Sequence, residues 1–186
     1  LEPASTTACP ATAVLTTVTS MEASAPFGSL AVLGSQGSRS SISHLKLSNG
    51  SERWHDGAFF SGGLSIHNND HVEIENSHFY GNRADDGVNI KNSYVVIRNA
   101  YFIDNVADQI DLDYCRGIVT DSQFITTKSE NSNGDGVDVS GGDILVVQSL
   151  FSGMRDKGMS IGEESRIFLS NNRFINNNNG VAVKDL

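Results

Sequence analysis

Residues 86–102 read DGVNIKNSYVVIRNAYF and residues 135–151 read DGVDVSGGDILVVQSLF. Set one above the other, they share an Asp-Gly turn, a short apolar strand, a second apolar run and a closing phenylalanine. The same unit recurs outward from both. First strands begin at Leu64, Val88, Ile110, Val137, Met159 and Val181, in steps of 24, 22, 27, 22 and 22. A second apolar run follows each of the first five, at HVEI (71), YVVI (94), GIV (117), DILVV (143) and RIFL (166). Phe79, Phe102, Phe124, Phe151 and Phe174 then close those five units. A fixed period of this length marks stacked units, each unable to bury its apolar face alone. Strand-length apolar runs broken by Gly and Asn lack the 3.6-residue period of a helix. The pattern predicts an all-β chain, a right-handed parallel β-helix of three short strands per coil of about 22 residues and about six to seven coils.

Two further columns accompany the strands. Three residues before each phenylalanine stand Asn76, Asn99, Asp121, Gln148 and Asn171, where stacked amides could bond from coil to coil as in cross-β ladders. Immediately before the first strands stand Gly87, Gly136, Gly158 and Gly180, with Gln109 as the exception, and a φ > 0 turn is expected there. Residues 1–25 read as a loosely attached lead-in and residues 26–186 as one β-helix domain, with irregular early coils. The closing GVAVKDL stops in mid-coil, so the expectation is a domain truncated at its C-terminus.

The formal charge of −9 opposes binding to nucleic acid, whose phosphates it would repel. No run of about 18 apolar residues occurs, which predicts no membrane-spanning helix. Two cysteines, Cys9 and Cys115, do not make a disulfide framework, and their spacing leaves pairing open.

With the coils in register, side chains one strand apart can be compared. Two residues before each first strand stand Asp86, Asp108, Asp135, Lys157 and Asn179. One residue into the strand, facing outward, stand Ser65, Asn89, Asp111, Asp138, Ser160 and Ala182; the next outward column holds His67, Lys91, Asp113, Ser140, Gly162 and Lys184. Carboxylates one strand spacing apart repel by about 3 to 4 kcal/mol at an effective dielectric of 20. If partly buried they need protons or a cation, and oxygen donors suit Ca²⁺ better than zinc. The candidate metal ligands are Asp86, Asp108, Asp111, Asp135 and Asp138. The other reading is a solvated face whose Asp residues shape turns. Lys157 is likewise either a salt-bridge partner of Asp135 or a base whose pKa a neighbouring cation lowers; Arg155 and Lys184 compete for that role. Asp113 and Lys91 line the same face as candidate substrate contacts. Trp54 either stacks on a sugar ring or caps the core. His67, facing Lys91, reads as solvated, and the five extra residues of TTKSENSNGDG (126–136) would wall the acidic patch near Glu130.

The coils, together with the DDGVNI and GDGVDV turns, resemble the pectate-lyase-like right-handed β-helix superfamily. DQIDLDYCRGIV, GDGVDVSGGD, DKGMSIGEES and GVAVKD are similar, more narrowly, to β-helix regions of bacterial secreted or surface proteins that carry spore-coat-H-like kinase domains. The resemblance covers roughly residues 26–186. It implies a secreted or cell-surface location, a polysaccharide partner, and Asp-bound Ca²⁺ that holds a uronate carboxylate while Lys or Arg removes the C5 proton. Asp135 and Asp138 match that family's acidic turn, Asp108 and Asp111 match it in part, and Asn89 departs from it. Two classes of function are therefore open: a Ca²⁺-assisted lyase or epimerase of an acidic polysaccharide, and a non-catalytic glycan-binding or structural module, since a fold alone implies no activity.

Overall fold

Three strands per coil stack into three parallel sheets in the computed structural model, which describes residues 15–22, 24–128 and 133–184. The first strands of the coils are Leu30–Leu33, Gly62–His67, Asp86–Lys91, Asp108–Asp113, Val137–Ser140, Lys157–Gly162 and Asn179–Val183. They form a seven-stranded front sheet. Second strands, from Arg39–Ser43 to Arg166–Ser170, make a six-stranded sheet, and third strands, from Thr16–Thr19 to Arg173–Ile175, a second seven-stranded one. This is the parallel β-helix that the 22-residue period predicts. No helix among the described residues is long and apolar enough to cross a membrane.

Of the expected lead-in, residues 1–14 and 23 lie outside the described residues. Thr16–Thr19 pairs in parallel with Leu45–Ser48, so the third sheet begins inside that segment. Cys9 also lies outside the described residues, while Cys115 is a free, buried thiol. Burial pushes its pKa up to about 12.

The period exists because identical positions share one column of the core. Phe79, Phe102, Phe124, Phe151 and Phe174 stack with ring centroids 5.2, 4.9, 4.8 and 4.6 Å apart. The first four are fully buried, and Phe174 packs partly buried against the column. Truncating a central ring leaves a cavity walled by two other rings that the flanking strands hold in place. Phe124→Ala is expected to cost about 3 to 5 kcal/mol, and Phe174→Ala clearly less. Urea denaturation of the two variants tests this; equal losses would mean that the column does not act as a packed stack.

The turns follow a different logic from the expected one. The glycines before the first strands do not adopt positive φ. A Cβ on Gly136 would sit 2.5 Å from the Gly158 carbonyl oxygen and 2.8 Å from a Phe151 ring carbon. One on Gly158 would meet the next carbonyl and the Phe174 ring in the same way. Gly136 and Gly158 need glycine because backbone and phenylalanine ring approach too closely for a side chain, whereas Gly87 is crowded by Asn105 and the Gln109 carbonyl and Gly180 is not crowded. The amide column, among other turn residues, is left-handed instead: Asn76, Asn99, Asp121, Gln148 and Asn171 have φ of 49°, 48°, 50°, 51° and 56°. Asn and Asp tolerate that region best among non-glycine residues. The amide ladder is present between Asn99 Nδ2 and Asn76 Oδ1 at 2.7 Å.

One element departs from the solenoid. Arg53–His55 and Ala58–Phe60 form an antiparallel hairpin at the corner between third and first strands. Its turn residues Asp56 and Gly57 both have positive φ, 47° and 80°, the geometry that Asp-Gly favours in two-residue hairpin loops.

Candidate functional site

The outer face of the front sheet gathers the acids because its register follows the sequence period without a slip. Asp86 pairs with Asp108, Asn89 with Asp111, and Lys91 with Asp113. Asp111 in turn pairs with Asp138, and Asp138 with Ser160. Within this ladder Asp108, Asp135 and Asp138 each offer a carboxylate oxygen, all within 4.8 Å of one another. Asp86, Asp111 and Asp113 extend the patch along the sheet.

Part of the first acidic column has a structural task. The Asp135 amide donates to Asp108 Oδ1 at 2.7 Å, and the Lys157 amide donates to Asp135 Oδ1 at 2.8 Å. Each carboxylate thus holds the next coil in place and keeps spare lone pairs, since a carboxylate can accept about four bonds.

The acids are only partly solvated. Asp86 and Asp135 are buried, and Asp108, Asp111 and Asp138 half-buried. Burial pushes the carboxyl of Asp111 up to about 9, with Asp86 and Asp113 adding repulsion. Burial also carries Asp108 up to about 8 and Asp86 up to about 7. Asp135 is raised as well, chiefly by burial, against the opposing pull of Lys157. The patch has the property expected of carboxylates brought close and partly desolvated: it favours protons or a cation. A buried hydroxyl without a hydrogen-bond partner among the described residues, Ser160 Oγ, stands at one end, and Ser61, whose side chain bonds Asp86, at the other. Ser160 is one strand beyond Asp138. Ser61 precedes the first-strand residue that pairs with Asp86, and its carbonyl accepts the Asp86 amide.

Lys157 lies on the same edge, where the position two before the strand predicts it. Its Nζ contacts Asp135 at 3.2 Å and also bonds Asp156. Burial alone would lower its pKa, but the bonds to Asp156 and Asp135 outweigh burial and raise it. With these partners Lys157 is an ammonium, the opposite direction from that expected of a base beside a cation. Lys91 is similar, paired with Asp113 at 2.6 Å. Arg155 and Lys184 are exposed.

His67 is buried, not solvated. Its ring stacks on Phe60 with centroids 5.1 Å apart, and its Nε2 is 2.9 Å from Asn89 Oδ1. Asn89 Nδ2 donates to Asp111 Oδ2 at 2.8 Å. The coil that lost its second acid therefore uses the amide to link hairpin, histidine and acid ladder, a chain that sequence reasoning missed. The hairpin itself was signalled by Asp-Gly between two aromatic-rich triplets. Trp54 is not brought to the acids by any contact: it packs on Phe59 at 5.1 Å and is 67% exposed. It shares the hairpin face opposite to Arg53, His55 and Phe60, by the alternation of the strands. At the far end, Asp104 accepts the amides of Thr127 and Lys128 at 2.6 and 3.3 Å, anchoring the start of the inserted loop. Glu130 lies outside the described residues.

The family described as "Right handed beta helix region" matches residues 16–130, well over half of the chain. No curated protein and no solved structure matches.

Proposed function

The chain belongs to the right-handed β-helix family, and we propose that its acidic patch holds Ca²⁺ and, through it, the carboxylate of a uronate polysaccharide, as a lyase or epimerase. One observation carries this reading: three carboxylates, Asp108, Asp135 and Asp138, converge within 4.8 Å. Ca²⁺ takes oxygen ligands at about 2.3 to 2.6 Å, so oxygens that close can share one ion. The donor set contains no imidazole or thiolate, which zinc would favour. Ser160 adds an unpartnered hydroxyl beside Asp138.

When bound, the cation would supply Lewis-acid polarisation of the uronate carboxylate and acidify the neighbouring C–H. Asp135 would turn from Lys157 towards the metal. Lys157 then loses a partner and gains a positive neighbour, and both changes lower its pKa, as a base requires. Asp113 and Lys91, on the outermost column, would meet sugar hydroxyls. A polysaccharide substrate of this kind places the protein outside the cell or on its surface.

A second reading, a non-catalytic glycan-binding module, is favoured by the paired, protonated state of Lys157. The deciding experiment is a screen of uronate polymers with Ca²⁺ or with chelator, following absorbance of a new double bond and, by NMR, inversion at C5. Product formed only with Ca²⁺ is the expected result. Ca²⁺-dependent polymer binding without product would select the module, and neither product nor binding would overturn the proposal.

A further inference from the structure

We propose that the pocket between the hairpin and the strand Leu30–Leu33 of the front sheet is a further sugar subsite, which takes a uronate residue of the polysaccharide away from the acids. The inference rests on the reading of the acidic patch as uronate-binding and adds a second point of contact.

The pocket has a cavity of about 480 Å³ and is lined by Ala31, Leu33, Arg53, His55, Asp56 and Phe60, among others. Its floor follows from strand alternation. Leu30 and Val32 pack on the core, so Ala31 and Leu33 point outward, and Leu33 is 64% exposed. Its wall follows from the hairpin register: Arg53 pairs with Phe60 and His55 with Ala58, placing these four on one face. The result is an apolar floor and an aromatic edge with a guanidinium above them. That combination fits a pyranose whose C–H face rests on Leu33 and Phe60 and whose carboxylate meets the planar fork of Arg53. Ser29, which donates to Ser65 Oγ at 3.1 Å, keeps acceptor capacity for a sugar hydroxyl, and the exposed pair His55–Asp56, 3.4 Å apart, offers further polar contacts to the hydroxyl groups.

Continuity with the acids places this pocket on the same binding surface. Ala31 pairs with Ser65 and Leu33 with His67, and those two residues head the columns that run through Asn89 to Asp111 and through Lys91 to Asp113. Phe60, which lines the pocket, is the ring on which His67 stacks. Three strand spacings separate Leu30–Leu33 from Asp108–Asp113, roughly 14 Å, the span of a short oligosaccharide.

The test is a titration of the full chain with a uronate disaccharide, read residue by residue from backbone amide NMR shifts, first in chelator and then with Ca²⁺. Shifts at Gly28, Ala31, Leu33 and Ala58 already in chelator are expected, because Arg53 rather than a metal holds the carboxylate there. Arg53→Ala should weaken that binding about tenfold or more, by loss of a charge-assisted pair, and Leu33→Trp should block it by filling the floor. The spectra themselves report whether either variant is folded. No shift at these amides, or unchanged affinity in both folded variants, overturns the subsite. Shifts confined to the Asp108–Asp138 region with Ca²⁺ overturn the subsite and leave the cation reading standing. Pocket shifts without any Ca²⁺-dependent change at the acids do the reverse.

Discussion

Between pH 7 and pH 9 the metal-free protein is expected to lose stability, and millimolar Ca²⁺ to remove part of that loss. Asp86, Asp108 and Asp111 titrate in the fold at about 7, 8 and 9, against an ordinary carboxylate value of 3.8. Because their folded pKa is raised, the native state binds more protons than the unfolded chain over this window, and stability falls as pH rises. The contribution is complete below the ordinary carboxylate pKa and is lost as pH passes through 7 to 9. This is the reverse of the usual carboxylate behaviour, in which acid unfolds the protein. Each unit of difference corresponds to about 1.4 kcal/mol, so three groups that deprotonate while buried cost on the order of several kcal/mol in all. His67 and His78, whose pKa burial lowers, work in the opposite direction at and below 6.5 and offset part of the decline there, so the window above 7 reports the carboxyls without them. The raised Lys157 and Lys91 lose their protons only above it. A dication held by Asp108, Asp135 and Asp138 satisfies one of the carboxylates that the protons neutralise, Asp108, and adds positive charge beside the others, so it should bind more tightly at pH 9 and release protons at pH 7. Chemical denaturation at pH 7, 8 and 9, with chelator and with Ca²⁺, checks both parts. A flat profile in chelator would mean that the acids are better solvated than the fold implies. A sloping profile that Ca²⁺ leaves untouched would mean that they form no cation site.

The acidic ladder was legible because a side-chain period of two and a coil period of 22 fix register together. Aligning Val88, Ile110 and Val137 placed Asn89, Asp111 and Asp138 in one column, and the sheet pairs them so. Phe102, Phe124 and Phe151 were legible for the same reason. Burial was not, because an outward position says nothing of what lies over it: His67 faces out of the sheet and is covered by Phe60, which comes from a hairpin outside the repeat. The protonation of Lys157 was hidden similarly. Its column predicted Asp135 as a neighbour, but its second partner, Asp156, is adjacent in the chain and depends on the turn for its direction. The glycine column was found and its reason was not, because a repeated glycine can serve either a left-handed turn or a close contact. Only the distance from Gly136 to the Phe151 ring distinguishes the two.

If the patch is catalytic, Lys157→Ala is expected to abolish unsaturated product while Ca²⁺ stabilisation survives. Lys157 continues the column of Asp108 and Asp135, its amide bonded to Asp135 and its side chain 14% exposed at the patch edge. That places an amine next to the carboxylates that would hold the metal, on the side where a bound sugar could present its C5 proton. A general base contributes typically 10²- to 10⁴-fold, so removing it takes the rate below detection in an absorbance assay. A salt-bridge role predicts a different pattern. Asp135 would lose only a charge partner, the melting temperature would fall slightly in chelator, and activity would follow the fraction folded. The Ca²⁺ response sharpens the contrast, because Lys157 competes with the metal for Asp135. The alanine variant should bind Ca²⁺ at least as tightly as the parent, so lost product cannot be ascribed to a lost ion. The pH–rate profile of the parent gives the complementary signature: an alkaline rise in rate that moves to lower pH as Ca²⁺ approaches saturation, as the ammonium of Lys157 is deprotonated beside the metal. If Lys157→Ala retains full activity, the base lies elsewhere, and the exposed Arg155 and Lys184 are next to be replaced.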